Sequence, residues 1–104
     1  MKKYLIVGHN TKPELPRDLS PEQQQAWGEF FTKLGSRIVD GGNPLAPSDR
    51  AIVKEGSINT LTDTAVGYYM ISAESLEEAS KLVLESPYGN APNCEIRVYE
   101  TIPM

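Results

Sequence analysis

The sequence predicts a single α+β domain in which two helices lie on one face of an antiparallel sheet, in the order β-α-β-β-α-β. Three observations carry this. The chain opens on Lys3-Tyr4-Leu5-Ile6-Val7 and closes on Cys94-Glu95-Ile96-Arg97-Val98-Tyr99-Glu100, both short runs rich in β-branched and aromatic residues. Two capping boxes, at Ser20 and at Ser75, each open an apolar stripe of helical period. Between them lie extended stretches that end in the strongest strand signal of the chain, Val66 to Ser72. A chain of 104 residues has room for one hydrophobic core and not for two.

Taken in order, the first strand runs from Lys3 to Val7 and is apolar on both parities, as a strand covered on both faces would be. Asn10 to Leu19 carries Pro13 and Pro16 and reads as a loop. Ser20-Pro21-Glu22-Gln23 then starts a helix: Ser20 caps, Pro21 suits the first helical position, and Gln23 completes the box. Trp27, Phe30, Phe31, Leu34 and Ile38 recur at helical spacing, and Gly35 ends the helix. Gly28 inside it costs about 1 kcal/mol relative to Ala, which a close backbone contact would justify.

Arg37 to Leu45 reads as a short extended piece entering a tight turn at Asp40-Gly41-Gly42-Asn43. Ala51-Ile52-Val53-Lys54 and Ser57-Ile58-Asn59-Thr60-Leu61 read as a hairpin around Gly56. After the Val66–Ser72 strand, Ser75 caps a second helix with Glu78 reaching back, and Leu76, Ala79, Leu82 and Val83 form its buried stripe. Pro87 stops it, and the last strand follows. This is the ferredoxin-like arrangement, which leaves one sheet face without helices. Tyr4, Ile6, Tyr69 and Tyr99 are candidates for that bare face, and a second subunit would cover it, so a homodimer through the open sheet face is expected.

The formal net charge of −4 and the scattered basic residues argue against nucleic acid, whose binders need a basic face. The apolar run after Lys2-Lys3 stops after four residues, short of the roughly 7–15 of an export signal. No stretch approaches the ~20 apolar residues that span a bilayer, so no membrane partner is expected. The single cysteine, Cys94, forms no internal disulfide, and one His, one Cys and dispersed carboxylates show no metal-ligand spacing. A cytoplasmic protein without metal or cofactor is the expectation.

The chain resembles the YCII-related family, including its Asp-Gly-Pro-Phe (DGPF) branch. The resemblance covers most of the length. It rests on Lys3-Tyr4-Leu5-Ile6-Val7, on Trp27-Gly28-Glu29-Phe30-Phe31 leading to Leu34-Gly35, and on Asp40-Gly41-Gly42-Asn43-Pro44-Leu45. It continues from Gly67 to Ala79 and closes on Glu95 to Glu100. It implies a dimeric α+β barrel related to the muconolactone-isomerase type, in a family whose members mostly have no assigned function. One branch pairs a His on the first helix with an Asp in an Asp-Pro-Tyr triplet. Here Pro87 and Tyr88 remain, but Ser86 replaces the acid, Gln23, Gln24 and Gln25 stand where the imidazole would be, and Thr62-Asp63-Thr64-Ala65 replaces the DGPF tetrapeptide. Glutamine and serine hydrogen-bond but do not exchange protons near neutral pH.

Candidate site residues follow from chemistry. His9, the one imidazole, stands where the first strand leaves the sheet and suits a general base or an anion contact; the blander reading is a capping histidine. Asp63 suits a catalytic partner that orients His9, or else a turn residue. Asp40 and Asn43 flank a Gly-Gly turn that can present backbone N–H groups to a ligand, although these are also the commonest turn formers. Trp27 and Tyr88 suit ligand platforms, or packing. The function expected is binding of a small acidic or aromatic metabolite in a cleft, with weak acid–base activity. The alternatives are a non-catalytic interaction or regulatory module acting as a homodimer and, more weakly, a metal- or haem-dependent oxygenase like those of the related dimeric barrels, with His9 as axial ligand.

Overall fold

The computed structural model describes residues 1–13 and 19–104. Six strands and two helices follow one another: β1 (Lys2–Asn10), α1 (Pro21–Leu34), β2 (Ile38–Pro44), β3 (Ala51–Lys54), β4 (Ser57–Thr60), β5 (Ala65–Ala73), α2 (Leu76–Leu84) and β6 (Cys94–Glu100). A 3-10 turn, Gly35–Arg37, joins α1 to β2. Four strands form an antiparallel sheet in the order β2-β5-β1-β6. β1 and β2 flank β5, while β5 and β6 flank β1, so two split β-α-β units interleave. With both helices packed on the sheet, the architecture is α+β and consistent with the ferredoxin-like class.

The parity of β1 and β5 decides where the core sits. Tyr4 pairs with Ile71 and Ile6 with Tyr69, and all four are buried. Phe30 and Leu34 of α1 and Ala79 and Val83 of α2 close over them. Three of the residues expected on the bare face, Tyr4, Ile6 and Tyr69, therefore lie under the helices instead. Only Tyr99, paired with Leu5 on the opposite parity and 48% exposed, lies on the uncovered side. A strand with apolar residues on both parities does not disclose which side the helices take, and this is why the assignment failed.

Both helix starts follow from their caps. Gln23 N–H donates to Ser20 Oγ at 3.1 Å, and Ser20 N–H donates to Gln23 Oε1 at 2.8 Å, a complete capping box. At α2 the box is only half formed. Glu78 N–H donates to Ser75 Oγ at 3.1 Å, but the Glu78 carboxylate accepts from the backbone N–H of Glu74 and from Arg37. Leu76, expected in the buried stripe, is exposed at the first position of α2; Ala79 and Val83 carry the burial.

Two further expectations change. Gly28 has no heavy atom near the position a Cβ would take, so no close contact justifies it. The Asp40–Asn43 segment is a bulged stretch of β2, not a turn beyond the strand: Asp40 pairs with Met70, Asn43 with Tyr68, and the register slips between them. Asp40 Oδ1 accepts from Gly42 N–H at 2.8 Å and fixes the bulge.

The hairpin forms as expected, with Ala51 opposite Thr60 and Glu55-Gly56 at the turn, both at positive φ. It is a separate two-stranded arm whose eight strand residues are all exposed. The arm helps to account for a radius of gyration of 14.7 Å, above the about 13 Å of a compact domain this size. Of the expected loop from Asn10 to Leu19, residues 14–18 lie outside the described residues, and Asn10 itself ends β1. Among the described residues, no helix is long and apolar enough to cross a membrane.

Candidate functional site

Where β1 and β5 pass under α1, Gly8 pairs with Gly67. The Tyr88 ring packs against Gly8, 3.3 Å from where a Cβ would stand, and a cleft opens beside it. It holds about 420 Å³, within the roughly 300–1,000 Å³ usual for small-molecule sites. Trp27 and Phe31 line it from α1, Tyr69 from β5 and Tyr88 from the loop after α2; Tyr68 borders it as well, but it pairs with Val7 on the opposite parity and adds no ring to this wall. The rings already pack on one another. Trp27 and Phe31 are stacked with centroids 5.9 Å apart, and Trp27 meets Tyr88 edge-on at 5.3 Å. Tyr69 meets Phe31 edge-on at 5.3 Å. Such pairs hold one another in place, so the aromatic wall is preformed.

The polar end comes from the bulge and the base of the hairpin. Asn43, with Gly41 and Gly42, lines the cleft from β2, and Arg50 and Asp63 line it from either side of the hairpin base. Leu61 N–H donates to the Arg50 carbonyl at 2.9 Å, continuing the hairpin ladder by one residue. The chain passes through a positive φ at Asp49 just before Arg50. The Arg50 guanidinium is held on two sides: Nε donates to the Ala46 carbonyl at 2.7 Å, and Nη1 pairs with the Asp63 carboxylate. The Arg50 side chain is 14% exposed and that of Asp63 37%, so the cation is the more desolvated partner. Among the described lining residues, this pair supplies both formal charges.

Four of the six candidate residues, Asp63, Asn43, Trp27 and Tyr88, thus converge on one cleft. The other two do not line it. The Asp40 carboxylate is engaged in the bulge. His9 is buried, 9% exposed, with Nδ1 at 2.9 Å from Thr64 Oγ1. Asn10 N–H donates to the Thr64 carbonyl at 2.8 Å, so the end of β1 grips the residue next to Asp63 twice. His9 and Asp63 are therefore linked through Thr64 and the backbone; no hydrogen bond joins their side chains.

Beneath the cleft, the hydroxyls of Tyr69 and Ser86 are fully buried without a well-formed hydrogen bond. Burial pushes the Tyr69 phenol well above its ordinary range, against a weaker opposite pull from nearby Ser86, so it stays protonated at neutral pH. Among the described residues, no group of three or more His, Cys, Asp or Glu is placed to hold a metal ion.

Arg50 was not among the residues singled out from the sequence, yet it provides the cation of the site. A signal for it was present. Counting outward from the Glu55-Gly56 turn places Arg50 opposite Leu61, two residues from Asp63. Comparison of the chain with protein-family models and with curated proteins finds no match.

Proposed function

We propose that the protein binds a small aromatic metabolite in the cleft between α1 and the β1–β5 pair, as a cytoplasmic homodimer of the YCII-related, dimeric α+β barrel type. The observation that carries this reading is the cleft itself: about 420 Å³, walled by preformed aromatic rings, with Arg50, Asp63 and Asn43 at its polar end. Apolar walls supply most of the binding free energy, and a few fixed polar groups orient the ligand. His9 serves as a positioning residue in this account, holding through Thr64 the chain segment that presents Asp63.

Thermal unfolding against a metabolite panel, followed by NMR shift mapping of each hit, tests the reading. A ligand at 100 times its Kd adds about 2.7 kcal/mol, which should raise the midpoint by roughly 10–20 °C for a domain this size. Hits should perturb the amides of Gly8, Gly67 and Tyr88. Hits that perturb only the uncovered sheet face would refute it.

A second reading, a non-catalytic interaction module, draws support from the hairpin arm. Val53 and Ile58 form a cross-strand pair there and are 72% and 75% exposed. An isolated two-stranded hairpin is marginal in water, and a partner strand or surface would stabilise it. A metabolite screen without hits, together with a stoichiometric protein partner that no longer binds Val53→Ser/Ile58→Ser, would favour this second reading.

A further inference from the structure

We propose that Arg50 is the anion anchor of the cleft and that the ligand class is an aromatic carboxylate, its ring against the Trp27–Phe31 wall and its carboxylate on the guanidinium. The inference rests on the cleft-binding reading above and narrows it to one chemistry.

A guanidinium has five N–H donors in a rigid fork. In Arg50, Nε is committed to the Ala46 carbonyl, and Nη1 to the Asp63 carboxylate and, at 3.4 Å, to the Asp63 carbonyl. Among the described residues no hydrogen bond uses Nη2, and its two N–H groups are the donors a ligand carboxylate would take. The side chain is mostly buried, and the two fixed donors hold its plane before anything binds. A preorganised, partly desolvated cation loses little ordering entropy to an incoming carboxylate. The ion pair of guanidinium and carboxylate outweighs the ion–dipole bond that an amide carbonyl could accept there.

Asp63 does not cancel this preference. Its carboxylate is the more solvated member of the pair, so water screens it better than it screens Arg50. Its presence does predict a limit: the ligand's anion and the Asp63 anion share one guanidinium and repel each other. A second ionised group on the ligand has no cation among the described lining residues, which favours monoanions.

The test is isothermal titration of the full chain with matched pairs, benzoate with benzamide and indole-3-carboxylate with indole-3-carboxamide. In wild type the acids should bind about tenfold or more tightly than their amides. Arg50→Gln should erase that preference, weakening the acids about tenfold more than the amides, and Arg50→Lys should retain part of it. Asp63→Asn should tighten the acids several-fold relative to the amides. If Arg50→Gln does not fold, judged by circular dichroism, Arg50→Gln/Asp63→Asn removes both charges and should equally abolish the preference. Equal affinities for acid and amide in wild type, or a preference surviving in Arg50→Gln, would overturn the anchor and leave the cleft reading standing. Binding by neither member of any pair would overturn the aromatic-carboxylate assignment; the metabolite panel with shift mapping then decides the cleft reading separately.

Discussion

At Gly42 the backbone has a φ of +66°, and a Cβ built there would lie 1.7 Å from the Tyr68 carbonyl oxygen. Both constraints act on a backbone that cannot yield, because Tyr68 is hydrogen-bonded into the centre of the sheet. Gly42→Ala should therefore destabilise the protein by about 3 kcal/mol or more and disturb the cleft that the bulge lines. Gly28 has the opposite surroundings: it is exposed on α1, nothing lies within 4 Å of a built Cβ, and its backbone φ is ordinary. Gly28→Ala should raise stability by about 1 kcal/mol, a gain of roughly 4–8 °C in midpoint. Urea denaturation of the two variants beside wild type measures both effects. From sequence, Gly28 is the glycine expected to need a close backbone contact and Gly42 reads as one half of a turn pair; the structure reverses the first expectation and tightens the second. What separates them is the distance to another strand's carbonyl, which no local pattern encodes.

Among the elements, those whose signals are local were legible. The Ser20 box, the Glu55-Gly56 turn and the β6 alternation all act within a few residues, and α1, the hairpin and β6 formed as expected. Elements whose form depends on a neighbour were not. β2 continues past Asp40 because β5 offers it hydrogen-bonding partners, and the bulge absorbs the Gly-Gly pair. The α2 capping box lacks its return bond because the Glu78 carboxylate instead accepts from the Glu74 backbone N–H and, at 2.7 Å, from Arg37 in the turn before β2. The site divides the same way: its aromatic wall was partly foreseen in Trp27 and Tyr88, whereas Arg50 needed the hairpin register to be followed past its last strand residue.

That displaced Glu78 carboxylate makes the start of α2 sensitive to acid. The Glu74 backbone N–H, and then the Arg37 guanidinium, hold its carboxyl below the usual carboxylate range. A lowered folded-state pKa stabilises the fold at every pH above the unfolded value of about 4.3 and loses that contribution as pH falls through the folded value. Unfolding midpoints should thus show no pH dependence from this group between about pH 5 and 8, then a decline below about pH 4. Glu78→Gln should have a lower midpoint at neutral pH and a shallower acid decline. Parallel curves for the two proteins would show that the Glu78 carboxylate is not coupled to folding.

For the whole molecule, the consequence of the strand parity is an uncovered sheet face bearing Leu5, Val7, Met70 and Tyr99 beside Lys3, Glu95 and Arg97. Leu5, Val7 and Met70 are only half-buried by their own chain, and Tyr99 stands exposed at the β6 edge. Apolar groups on a helix-free sheet gain most by burial against a matching surface, and a second copy of the same face matches by symmetry. Arg97 Nε bonds Glu95 at 2.5 Å, which satisfies the main charges of β6 locally and lowers the cost of bringing two such faces together. The proposed homodimer predicts a concentration-dependent mass in sedimentation velocity. Tyr99→Glu should weaken it by about 30-fold or more, equivalent to the ~2 kcal/mol typical of truncating a buried interface aromatic, with like charges also opposed across the two-fold. Because Tyr99 has no helix above it, the variant should keep its wild-type circular dichroism. A wild-type chain that sediments as a monomer even at about 100 times the concentration used for ligand titration, a margin of ~2.7 kcal/mol in association free energy, would end the homodimer proposal. The cleft, formed within one chain, would be unaffected.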